Sequence, residues 1–304
     1  MRVETVSEQL FFVTTLIEGT DGGGANWTGT GFLYAVNTDQ GRATFVVTNK
    51  HVLDGATRLT MRFVRGSGGQ PSLGQQVTVQ LNPFGKHLWS GHTNPDVDVA
   101  VLPLQPVLTN LAQIGQEAFM KTLPPELLPT QATWLEFDEL ERVVFVGYPI
   151  GLFDTVNFTP IVRQGMTATP LALDYRGLPA FLIDASVYPG SSGSPVFLFD
   201  RGMYQARQGG TVVGGRLFLL GVLAAVHTQP VGATVVETPA ALLARFDQPV
   251  GLGIVFRCSA IDDCVNAVIA SAGLVRTATV PVASTPAAPS PADEQVAEAA
   301  EQNP

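Results

Sequence analysis

The sequence predicts an all-β protein, built as two antiparallel barrels and finished by one short C-terminal helix. Two observations carry that expectation. Short runs rich in Val, Phe, Leu and Thr recur along most of the chain, several alternating apolar with polar residues, and Gly, Asn, Asp or Pro clusters separate them. A single late stretch instead spaces its apolar residues at helical intervals. With 304 residues, 45% apolar and only 14% charged, the chain is long enough and apolar enough to bury a large core.

In chain order the strand-like runs are "QLFFVTTLIE", "GTGFLYAV", "ATFVVTN", "LTMRFV", "QVTVQL" and "DVAVLPL", then "RVVFVGYP", "AFLIDASV", "SPVFLF", "LFLLGVLAAV" and "GLGIVF". The first six are assigned to a barrel over residues 1–120 and the rest to a second over 139–275. The pattern lapses between Gln113 and Glu139. There "TLPPELLPTQ" reads as a connector, set at 121–138, because its prolines break ladders and bias their predecessors to extended geometry. In "AIDDCVNAVIASAGL", Ile261, Val265, Val268 and Ile269 share one helical face and Gly273 is the stop signal. Residues 276–304 are dominated by Ala, Pro, Thr, Ser and Glu, a composition too poor in apolar area to offset ordering entropy, so a disordered tail is expected.

Composition also excludes function classes. The net charge is -9, and Asp293, Glu294, Glu298 and Glu301 carry four of those charges, leaving about -5 on the predicted folded part. A nucleic-acid partner, which needs a basic surface, is not expected. The longest apolar run, Leu217 to Val226, is interrupted by Gly221 and is about half the ~20 residues of a spanning helix, so no membrane partner is expected either. "MRVETVSEQLFFVTTLIEG" places Glu4 and Glu8 ahead of its apolar stretch and has no small-residue cleavage site, which points to the cytoplasm. Cys258 and Cys264, a lone C-x5-C, have no second ligand pair and read as two buried thiols, not a disulfide; no metal and no cofactor are expected.

The segment "YPGSSGSPVF", Tyr188 to Phe197, packs three serines among glycines and prolines between two strands. Its bland reading is a tight turn. A serine acts as a nucleophile only when a base takes its proton, a third group orients that base and fixed donors stabilise the oxyanion. Four histidines could serve: His51, His87, His92 and His227. His51 directly follows "ATFVVTN", where a strand end holds the ring rigidly over a cleft. His87 and His92 fall in a Gly, Asn and Pro loop and read as solvated, and His227 reads as structural. The orienting acid is Asp96 or Asp98 in "NPDVDVAVLPL"; Asp98 is preferred, because with Asp96 in the role Asp98 would occupy a strand face that wants an apolar side chain.

"TNKHVLDGA", "DVAVLPL" and "GSSGSP", in the order His, Asp, Ser, resemble the three catalytic segments of chymotrypsin-like serine peptidases. "GTGFLY" and "DASVYPGSSG" look nearest to bacterial trypsin-like peptidases and Deg-type proteases. The resemblance covers roughly Phe12 to Ala272. It implies two six-stranded barrels of the chymotrypsin type and a triad of His51, Asp98 and Ser192. Ser192 alone fits the register Gly-x-Ser-Gly-x-Pro, with Gly190, Gly193 and Pro195 around it. By the same resemblance the backbone N–H groups of Gly190 and Ser192 form the oxyanion hole.

The resemblance further places Ser186 at the base of the substrate pocket, with Ala224, Ala225 and Val226 on the strand that pairs with substrate backbone. An uncharged base implies cleavage after small or medium apolar residues of a protein or peptide substrate. Asp184 is expected to anchor structure. Ser191 stands where zymogen-activated relatives carry an aspartate, which disfavours activation by N-terminal insertion and leaves an oligomer or a regulatory partner as ways of restraining activity. A catalytically silent binding module and a serine esterase on the same fold remain as alternatives.

Overall fold

The computed structural model describes residues 2–237 and 240–277, with the side chains of 225–250 outside the description; the tail from 278 on and the side chains of Ala225, Val226 and His227 therefore lie outside the described residues, while Arg276 and Thr277, placed in the expected disordered tail, are held by a bridge to Thr38 and a hydrogen bond to Asn37 O. Strands β1 (Thr14–Thr20), β2 (Asn26–Thr38), β3 (Gly41–Thr48), β4 (Arg58–Ser67), β5 (Gln70–Leu81), β6 (Ser90–Gly91), β7 (Ala100–Pro103) and β8 (Ala118–Phe119) form an eight-stranded sheet in the order β5-β4-β1-β2-β3-β7-β6, with β8 paired to β4. The C-terminal half is a closed six-stranded barrel of β9 (Arg142–Gly147), β10 (Ile161–Thr167), β11 (Ala180–Asp184), β12 (Pro195–Asp200), β15 (Arg216–Glu237) and β16 (Ala240–Arg257). A small hairpin, β13 (Met203–Gln205) with β14 (Thr211–Val213), stands off it. The chain is thus mostly β, as expected, and of the chymotrypsin-like architecture. Its first half is a sheet curled round one core, with no ladder joining β5 to β6 among the described residues.

The elements follow from local chemistry. Along β5 the stretch Val77–Val79 alternates buried with exposed residues, the mark of a half-buried strand. The β2–β3 hairpin turns at Gly41, whose φ of 115° suits a residue without a Cβ. Helix α1 (Val6–Gln9) is closed by a capping box of Thr5 and Glu8. The single turn α2 (Lys50–Leu53) follows β3 directly. Like α1 and α2, two further helices were absent from the sequence expectation: α3 (Gln105–Gln113), which buries Val107 and Leu111, and α4 (Gln131–Glu136), capped by the Thr130 hydroxyl. Helix α5 (Ser259–Ser271) buries Ile261, Val265 and Ile269 and ends in a Schellman motif: Leu274 N–H donates to Ile269 O, Gly273 N–H to Ala270 O, and Gly273 has φ 68°.

Three apolar clusters place the site. One fills the sheet (Ile17, Leu33, Val46, Leu59, Met61) and one the barrel (Phe145, Phe181, Ile183, Leu223, Val255). The third joins them, packing Phe32, Tyr34 and Val99 with Val146, Phe197, Val222 and Ile261 of α5. Close packing between the halves fixes the ends of β3, β7 and β12 relative to one another.

Candidate active site

His51 rides on α2, held at the end of β3. Asp98 lies in the loop between β6 and β7, and its carboxylate meets His51 twice: Oδ1 accepts the His51 main-chain N–H at 3.2 Å, and Oδ2 lies 2.5 Å from ring Nδ1. Asn49, fully buried, donates from Nδ2 to the Asp98 carbonyl at 2.5 Å. An acid on Nδ1 keeps the proton there and leaves Nε2 with its lone pair free. The pair is partly open to solvent, His51 by 51% of its side chain and Asp98 by 26%. Asp96 is exposed and is spent locally, its N–H donating to the Asn94 side chain.

Ser192 sits in the loop that enters β12. Ser191 N–H donates to Tyr188 O and Ser194 N–H to Ser191 O, tightening the turn, while Gly193 N–H to Leu223 O and Leu223 N–H to Ser194 O sew it to β15. Thr30 on β2 grips the loop from the other half: its N–H donates to Ser192 O, its hydroxyl to Gly190 O, and the hydroxyl also accepts Tyr148 N–H. Thr48 in turn donates to Thr30 O. Two glycines are obligatory here. Gly193 has φ 89° and a Cβ on it would run into the Thr30 carbonyl; Gly190 has φ 85° and its Cβ would lie 2.6 Å from Tyr148 O. The N–H groups of Gly190 and Ser192 donate to no group among the described residues.

The Ser192 hydroxyl donates to the Ala224 carbonyl at 2.9 Å, and no hydrogen bond joins it to His51. The structure therefore unites His51 with Asp98 and seats Ser192 in a rigid loop with its hydroxyl turned to β15. Of the pocket residues, Ser186 is exposed and Ala224 is buried. Asp184, also exposed, ends β11 opposite Met166 and Leu252.

The other histidines divide. His87 is exposed, as a solvated loop residue would be. His92 is not: its side chain is only 12% exposed and both ring nitrogens are engaged, one by Asn94 N–H and the other by Asp263 on α5. The loop folds back onto a helix 171 residues away in sequence, which no local pattern reveals. Thr30 and Asn49 were likewise missed as site residues, since their partners are backbone groups distant in sequence; "GTGFLY" had marked the first only as a family likeness. Both cysteines are buried free thiols, and desolvation pushes each up to about 12. Among the described residues no cluster of His, Cys, Asp or Glu could hold a metal ion, and no helix is long and apolar enough to cross a membrane.

No curated protein matches the sequence. Among solved structures the chain is similar to the active form of the Rv3671c protease of M. tuberculosis, at 18% identity over 90% of this chain and 86% of that one with a TM-score of 0.38. It is similar to a thermostable serine protease, AL20, from an extremophilic microorganism, at 14% identity over 84% and 97% with a TM-score of 0.45. A scabies mite inactivated protease paralogue is similar at 14% identity over 89% and 99%, with a TM-score of 0.47. The model of the trypsin-like peptidase domain matches residues 29–203, more than half of the chain and spanning His51, Asp98 and Ser192. The chain belongs to the trypsin-like peptidase domain family.

Proposed function

We propose that the protein is a serine endopeptidase in which His51, Asp98 and Ser192 act as a catalytic triad. The observation that carries the reading is the double grip of the Asp98 carboxylate on His51, which orients the ring and leaves Nε2 as base. On substrate binding Ser192 Oγ leaves the Ala224 carbonyl and turns to Nε2. It then attacks the scissile carbonyl carbon while its proton passes to His51. The oxyanion takes the N–H groups of Gly190 and Ser192, where one such donor is worth ~3 kcal/mol of transition-state stabilisation. The imidazolium returns the proton to the leaving amine, and water repeats the sequence on the acyl-enzyme.

The exposed Ser186 offers no charge to a substrate side chain, which favours small or medium apolar residues before the scissile bond. The backbone beside Ala224 supplies a strand for the substrate to pair with. The division into a barrel over residues 1–120, a connector over 121–138 and a second barrel from 139 belongs to this reading, as does a cytoplasmic site of action. One observation favours a catalytically silent module: the Ser192 hydroxyl is bonded away from His51.

Turnover of apolar and Lys/Arg peptides, beside a simple ester, separates the readings. We expect the wild type to cleave the apolar peptides and both Ser192→Ala and His51→Ala to lose activity by ~10³-fold or more. Ester hydrolysis without peptide cleavage would make the protein an esterase, and neither activity would favour the silent module.

A further inference from the structure

We infer that His92 is a positioning residue for Asp98, acting through the loop that joins β6 to β7. The inference rests on the triad reading above. The loop is closed at its base by His92 N–H to Val99 O at 2.9 Å. Inside it Asn94 is the hub: its side-chain oxygen accepts Asp96 N–H, its carbonyl accepts Val97 N–H and Lys50 Nζ, and its own N–H donates to His92 Nδ1 at 3.1 Å. A backbone N–H can only donate, so Nδ1 carries the lone pair and the ring proton sits on Nε2, facing Asp263 Oδ2 at 3.4 Å.

The ring thus spans from the loop that presents Asp98 to α5, which also touches the loop's far end through Cys264 Sγ–H to Val99 O at 3.8 Å. From the other side Lys50, next to His51 in sequence, lays its stem against Gly91 and its ammonium on the Asn94 carbonyl. The long Asp263 contact is mostly exposed, so the short link, Asn94 N–H to Nδ1, is the one that shapes the turn.

Asparagine and glutamine separate this role from mere packing. His92→Asn keeps an acceptor near the Nδ1 position without titrating, whereas His92→Gln carries its amide near Nε2 and leaves Asn94 N–H unmet. The full-length protein and both variants, each checked for a wild-type melting transition, are compared in fluorophosphonate labelling rate from pH 5 to 9 and in kcat and KM on a peptide. We expect His92→Asn to stay within about twofold of wild type and His92→Gln to lose about tenfold in kcat and labelling rate with KM unchanged. Wild-type rates in both variants, or equal slowing of both, would overturn the role of His92 while leaving the triad standing. A folded wild type that is not labelled at all would overturn the triad reading and this inference with it.

Discussion

At the residue scale, the Ser192 loop is held by atoms that carry no charge. Thr30, on the N-terminal sheet, offers one hydroxyl to two groups of the C-terminal half, donating to Gly190 O and accepting from Tyr148 N–H, and so fixes the turn that carries the proposed oxyanion donors. Thr30→Val keeps the shape and removes both bonds, leaving a buried N–H and a buried carbonyl unmet. We expect a loss of about 2–4 kcal/mol in stability by chemical denaturation, with labelling of Ser192 slowed as well. Asp98→Asn should fold normally and lower kcat by ~10⁴, since the amide no longer enforces the tautomer that frees Nε2; steady-state kinetics at pH 8 checks it.

Elements are joined by one buried ion cluster remote from this site. Arg216 at the start of β15 meets Glu141 before β9 and Asp200 at the end of β12, with all three side chains nearly buried, and it lies over the Tyr204 ring of β13. Burial alone would lower the guanidinium's proton affinity, but the hydrogen bonds and charges of the two acids reverse the sign and raise it. Arg216→Ala strands two carboxylates together, and a cost of about 3–5 kcal/mol is expected in urea denaturation at pH 7. Much at this scale was legible in the sequence: the alternating strands, and α5 from Ile261, Val265 and Ile269 with Gly273 behind them. Helix α3 was not, because it buries only Val107 and Leu111 and starts with a proline that also reads as strand punctuation. Nor was the β13–β14 hairpin, whose short exposed runs bury almost nothing. His92 shows the same limit at the site, since a partner 171 residues away leaves no local trace.

For the whole molecule, the third cluster, running from Phe32 and Tyr34 through Val146 and Phe197 to Ile261, makes sheet, barrel and α5 depend on one another. Cys258 and Cys264 lie inside it and report on its integrity. Burial pushes their thiols up to about 12 in the folded state, against about 9 for an exposed cysteine. Between those values the unfolded chain holds fewer protons than the folded one, so stability falls as pH rises from about 9 toward 12 and is unaffected by these groups below 9. Thermal melts across that alkaline range check the sign, and neither thiol should react with iodoacetamide at pH 8 until the protein unfolds. The order His51, Asp98, Ser192 was readable from three short motifs, whereas the resting direction of the Ser192 hydroxyl depends on the Ala224 carbonyl and no motif encodes it. The most direct test of the triad is to treat the folded protein with a fluorophosphonate and map the adduct by mass spectrometry, beside Ser192→Ala and His51→Ala. A single adduct on Ser192, absent from both variants, is predicted; a folded wild type left unlabelled, or labelled on another residue, would contradict the assignment.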